Sequence, residues 1–199
     1  MGISGCDLIG SSYGGTTALF LAATHPERIR TLTLVSPANP WSRIGRKRLA
    51  LLELPLAGML FPPIARHLRL LHRYSIRRMY GDPRRLRAET LRGYSLPLGR
   101  EGVFEHAVQI ARNWHSDMAQ LEKVMGGAAE IPTLIIWGSK DRLVELSSAQ
   151  VLNRLLKKSR VTVMDGAGHL PYEECPREFV SLVNAFLVEY SPVRVLDGK

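Results

Sequence analysis

Leu8-Ile9-Gly10-Ser11-Ser12-Tyr13-Gly14-Gly15 is a short apolar run that passes into a Gly-x-Ser-x-Gly turn, with a helical pattern beginning near Thr16. A serine on so tight a strand-to-helix turn is pushed clear of the backbone, and only glycine leaves room around it. Gly10, Gly14 and Gly15 are therefore read as the glycines that make the turn. The start of the helix behind Ser12 supplies backbone N–H groups and a partial positive charge suited to an oxyanion. Taken alone, a serine in a Gly-rich turn is only a turn residue. Its reading as a nucleophile needs a base, and the base needs a carboxylate to hold its tautomer.

Both are found further along the chain, each after a strand. Residues 6–10 form the first apolar strand, followed by an Ala- and Leu-rich helix over 16–25. A second strand covers 31–35, a third 132–138 and a fourth 160–165, with a helix over 147–156 between the last two. The spacing of Phe179, Val183, Phe186 and Leu187 predicts a closing amphipathic helix over 176–190. Strands alternating with helices argue for an α/β fold with a parallel sheet covered on both faces. Asp141 follows the third strand in Trp137-Gly138-Ser139-Lys140-Asp141, and His169 follows the fourth in Gly166-Ala167-Gly168-His169-Leu170-Pro171. Functional groups of open parallel sheets gather at the carboxyl ends of the strands, where Ser12, Asp141 and His169 are all expected. Asp117 and Asp165 are competing acids that follow no strand in the expected place. His25, His67, His72, His106 and His115 have no comparable setting and are read as structural.

Between residues 39 and 116 no run is convincingly strand-like, and Leu, Met and Tyr recur at helical intervals among arginines. Asp82-Pro83 is a good helix start, an N-cap side chain followed by proline. The net charge of +9 is concentrated here: residues 41–100 hold 14 Arg and Lys against 3 acidic residues, a balance of +11 that leaves −2 for the rest. Arg43-Ile44-Gly45-Arg46-Lys47-Arg48 and Arg84-Arg85-Leu86-Arg87 are its densest runs. They read either as a solvated basic face or as a surface for a membrane, and no nucleic-acid-binding motif accompanies them. Cys6 and Cys175 provide neither a disulfide framework nor a metal-ligand cluster, and are read as reduced thiols of a cytoplasmic protein. No apolar run reaches the ~18 residues of a membrane span.

The stretches 8–15, 135–143 and 166–176 resemble, in sequence and order, the nucleophile, acid and histidine segments of the α/β-hydrolase superfamily, in particular its lid-bearing, serine-esterase-like branch. The resemblance implies a core made of 1–40 and 116–199 with a helical cap inserted over 41–115. It implies Ser12 as nucleophile, His169 as base, Asp141 as the acid that orients it, and the Tyr13 N–H as one oxyanion donor. The expected chemistry is hydrolysis of carboxylic esters or related small acyl compounds, with no metal or organic cofactor. Carbon–carbon bond hydrolysis, perhydrolysis and lactone opening share these motifs. Serine at the nucleophile position argues against dehalogenase and epoxide-hydrolase chemistry, which in this superfamily use a carboxylate.

The departure from the family is at the front, where members carry further strands and a His-Gly loop that gives the second oxyanion donor. The expectation is therefore a C-terminal portion of such a domain, with 6–10 as an edge strand open to pairing with another chain. Loss of one oxyanion donor typically costs about 10²–10³ in rate, so the alternative reading is an inactive or accessory fragment.

Overall fold

The computed structural model describes residues 5–42 and 54–190; the basic run Arg43 to Arg48 lies outside them. Four strands, β1 (Cys6–Ser11), β2 (Ile29–Val35), β3 (Thr133–Gly138) and β4 (Ser159–Met164), form one sheet in the order β1-β2-β3-β4. Every neighbouring pair is parallel, with Leu8 opposite Leu32, Leu34 opposite Ile135 and Ile136 opposite Thr162. A parallel sheet needs a crossover between neighbours, and helices supply each one. Helix α1 (Tyr13–Thr24) joins β1 to β2, and α6 (Ser147–Leu155) joins β3 to β4. Between β2 and β3 run α2 (Pro55–His67), α3 (Arg69–Met79), α4 (Ala88–Leu98) and α5 (Val103–Val124). After β4 come the short α7 (Pro171–Glu174) and α8 (Pro176–Tyr190).

Side chains alternate across a strand, so β3 feeds two cores at once. Ile135 and Trp137 join Leu32 and Leu34 against Leu19 and Ala22 of α1, Leu121 of α5 and Leu152 of α6. Leu134 and Ile136 point the other way and meet Val183 and Phe186 of α8. All six residues of β3 are buried, which is why Leu134-Ile135-Ile136-Trp137 is continuously apolar rather than alternating. The small residues Gly15, Ala18, Ala22 and Ala23 on the buried face of α1 let that helix lie close on the sheet.

The strands lie within a residue or two of the predicted ranges, and the closing helix spans the predicted residues. Among the described residues the segment between β2 and β3 is helical, and residue 116 lies inside the 22-residue α5, whose Met118 and Leu121 are buried. That helix is one continuous rod linking the insertion to the sheet. Asp82 does cap a helical segment, its carboxylate accepting from the Arg84 N–H, but the capped segment is a single 3₁₀ turn over Pro83–Arg85. Ile76, Tyr80 and Leu170 form a third, smaller core that joins the insertion to the turn carrying His169.

Leu152 is fully buried between α6 and the sheet. Leu152→Ala is expected to lower unfolding free energy by about 2–5 kcal/mol, read by chemical denaturation, because the cavity collapses only in part.

Candidate active site

The turn after β1 is held open by backbone strain and closed by hydrogen bonds. Ser12 has φ 52° and ψ −124°, a conformation rare for any residue with a side chain. Strain of this kind costs about 1–3 kcal/mol and persists where the surroundings over-determine the backbone. Here they do. The Ser12 N–H donates to Val35 O at 3.0 Å, and the Ser12 carbonyl accepts from Ala38 N at 2.9 Å and Gly15 N at 3.0 Å. Thr16 Oγ1 adds a bond to Ala38 O at 2.6 Å. Ser12 occupies the N-cap of α1, where a serine normally spends its hydroxyl on the helix, yet its side chain makes no capping bond. The hydroxyl is left for other work. Tyr13 follows as the first residue of α1, so its N–H has no acceptor one turn earlier in the helix.

Two of the three turn glycines are sterically required. A Cβ on Gly10 would lie 2.6 Å from Gly14 O and 2.8 Å from Ala18 Cβ, and one on Gly15 would lie 2.7 Å from Pro37 Cβ. Gly14 differs from expectation: no described heavy atom lies within 4 Å of where its Cβ would be. Close packing is not what calls for glycine there.

Asp141 and His169 meet. His169 Nδ1 and Asp141 Oδ2 are 2.8 Å apart, with side-chain exposures of 3% and 0%. A carboxylate can only accept, so Nδ1 carries the proton of this bond. The other carboxylate oxygen, Oδ1, accepts from Leu143 N at 2.8 Å and Val144 N at 3.1 Å, so the acid is itself oriented by backbone. No hydrogen bond joins Ser12 Oγ to His169 or Asp141. The two competing acids are occupied elsewhere. Asp165 accepts from Ser139 Oγ at 2.9 Å, and Asp117 accepts from the Tyr13 hydroxyl at 2.7 Å. His72 is buried, stacked on Phe104, with Nε2 2.7 Å from Ala65 O. His25 sits beside Thr24 Oγ1 at 2.9 Å, and His67 is exposed.

His169 is delivered by a turn that folds back across the sheet. Lys140 N donates to Ala167 O at 2.8 Å, and Ser139 N to Met164 O at 3.0 Å, laying residues 164–168 over the end of β3. Segment 79–82, after α3, grips the same turn from the other side. His169 N donates to Met79 O at 2.7 Å, and a Cβ on Gly81 would lie 2.8 Å from Gly168 N. A buried carboxylate that the sequence did not single out, Glu174, ties the two together. It accepts from Gly168 N at 2.6 Å, Gly81 N at 3.0 Å and Asp82 N at 3.1 Å. Backbone amides from two segments thus converge on one anion.

Among the described residues no group of His, Cys, Asp and Glu could hold a metal ion. Both cysteines are free thiols. No described helix is long and apolar enough to cross a membrane.

Residues 1–176 match the family model for the alpha/beta hydrolase fold. The chain belongs to the α/β-hydrolase family. This α/β hydrolase is 31% identical over 190 residues to monoacylglycerol lipase abhd6-B of Xenopus laevis, a match covering 90% of this chain and 54% of the lipase. It is 28% identical over 199 residues to the pimeloyl-[acyl-carrier protein] methyl ester esterase of Aeromonas hydrophila, covering 92% of this chain and 70% of the esterase. Among solved structures it is similar to a bacterial membrane phospholipase A, with a TM-score of 0.71 and 26% identity over 95% of this chain and 58% of that one. A 2-hydroxy-6-oxo-6-phenylhexa-2,4-dienoate hydrolase from Rhodococcus shares the fold, with a TM-score of 0.70 at 22% identity over 94% of this chain and 65% of that one. The α/β hydrolase chain thus spans a little over half the length of the lipase it matches.

Glu174→Ala leaves three amides without their acceptor. It is expected to cost about 3 kcal/mol or more in thermal or chemical unfolding, with faster hydrogen exchange at Gly81 and Gly168. Tyr13 offers a pH test. Burial, then its hydrogen bond to Asp117 and that carboxylate's charge, push its hydroxyl up to about 12. A raised phenol favours the fold below pH 10, and this contribution fades as pH climbs toward 12. Ultraviolet titration of Asp117→Asn is expected to show the Tyr13 ionisation moving down only part of the way, because burial is the larger cause.

Proposed function

We propose that this chain carries the catalytic serine, histidine and aspartate of a serine hydrolase acting on carboxylic esters or related small acyl compounds. The observation that carries the reading is the buried Asp141–His169 hydrogen bond, formed at the same end of a parallel sheet as the strained Ser12 turn. The relatives named as a monoacylglycerol lipase and a methyl ester esterase support carboxylic esters as the substrate class.

In this reading Ser12 Oγ attacks the ester carbonyl while His169 Nε2 takes its proton. Asp141 holds Nδ1–H and stabilises the positive imidazolium that results. The negative oxygen of the tetrahedral intermediate is met by the Tyr13 N–H at the start of α1. His169 then returns the proton to the leaving alcohol, and the acyl group stays on Ser12. Water, deprotonated by the same imidazole, releases the acid and restores the hydroxyl. The helical insertion covers the site and shapes substrate choice.

A fluorophosphonate probe is expected to label Ser12, and Ser12→Ala to abolish labelling. Asp141→Asn and His169→Gln should each slow labelling and p-nitrophenyl ester hydrolysis by about 10³-fold or more while leaving circular dichroism unchanged. A well-folded chain that takes no label would instead support an inactive or accessory role.

A further inference from the structure

The outer face of the α2–α3 hairpin is built the wrong way round for a face that meets water. On α2, which packs against α5, the buried positions among the described side chains are the small residues Gly58, Pro62 and Ala65. Leu56, Met59, Leu60 and Ile64 recur at helical spacing on the other side, and the first two are each 64% exposed. A helix on a globular protein normally buries its large apolar stripe and shows its polar one. The stripe continues through exposed Leu68 into α3, where Leu70, 81% exposed, and Tyr74 alternate with exposed Arg73 and Arg77. Beside this hairpin lies an open cleft of about 870 Å³ lined by Arg66, His67, Arg73 and Arg92 with Leu91 and Leu96.

Charge selects what covers the stripe. Residues 54–100 hold ten arginines against Asp82 and Glu89. Asp82 is engaged by Arg84, while Arg66 reaches across to Glu105. Arg73, Arg77 and Arg92 have no acidic partner among the described residues. A second copy related by a twofold axis would set these arginines against themselves. Nucleic acid would meet the charge but leave the leucine ridge in water. An anionic bilayer satisfies both: apolar side chains enter the acyl boundary while arginines lie at the depth of the phosphates.

We propose that the α2–α3 face docks on a lipid bilayer rich in anionic headgroups. Leu56, Leu60, Ile64 and Leu70 enter the acyl boundary, and Arg73, Arg77 and the basic cleft engage phosphate groups. The proposal does not depend on Ser12 being a nucleophile.

Vesicle flotation tests it, because aggregated protein does not rise with lipid. The purified chain is expected to float with phosphatidylcholine–phosphatidylglycerol vesicles at low salt, and about tenfold less with phosphatidylcholine alone or at high salt. Two variants, Leu56→Ser/Leu60→Ser/Ile64→Ser and Arg73→Glu/Arg77→Glu, should each reduce flotation about tenfold with circular dichroism unchanged. The proposal is overturned if the folded chain floats with neither vesicle, or binds both equally. It is also overturned if both variants float like the parent. A stripe variant whose only effect is to turn a dimer into a monomer in size-exclusion chromatography would assign the face to a second copy instead.

Discussion

β4 lies three positions from β1 in the sheet, so a histidine carried after β4 can serve a serine carried after β1 only if the chain turns back. At a strand spacing of about 4.8 Å the gap is about 14 Å, far beyond a side chain's reach. Residues 164–168 close part of it by folding over the end of β3, where Ser139 and Lys140 donate to them. The rest of the site's geometry depends on that fold-back. Asp141 leaves the end of β3 under the returning turn, which is why its carboxylate meets Nδ1 of the imidazole directly. Exposed, such a pair is worth little; buried and oriented by the Leu143 and Val144 amides, it sets a tautomer.

The turn around Ser12 follows the same logic of constraint from outside. Nothing in the serine favours φ 52°. The conformation is imposed by the end of β2, where Val35 accepts from Ser12, and by the loop after it, where Ala38 donates to the Ser12 carbonyl. That loop is fixed in turn by Asn39, which donates to Pro37 O and Ser148 Oγ and accepts from the Trp41 and Ser42 amides. Strain at one residue is therefore distributed over two strands and a buried amide side chain.

Local chemistry was legible in the sequence; distant pairing was not. The Leu-Ile-Ile-Trp run inside 132–138 announced a buried strand, and the Gly-x-Ser-x-Gly run announced its turn, because both signals lie within a few residues. Asp141 and His169 stood out because each follows such a strand. Glu174 was invisible for the opposite reason: two of the amides it binds belong to Gly81 and Asp82, more than ninety residues away, and an amide leaves no mark on the sequence. Tyr13 was read for its N–H alone, whereas its hydroxyl reaches Asp117 on α5, a partner no periodicity points to. Gly14 misled in a smaller way, since the pattern treats its glycines alike and the packing around them does not.

The contact between segment 79–82 and the turn at 166–169 has a mechanical consequence. With Met79 holding the His169 amide and Glu174 bridging Gly81 to Gly168, the insertion is pinned at that end to the piece of backbone bearing the imidazole. Swinging the insertion outward from there would drag the ring off Asp141. The pinned end and the imidazole are therefore mechanically one body, so a displacement of either is felt by the other.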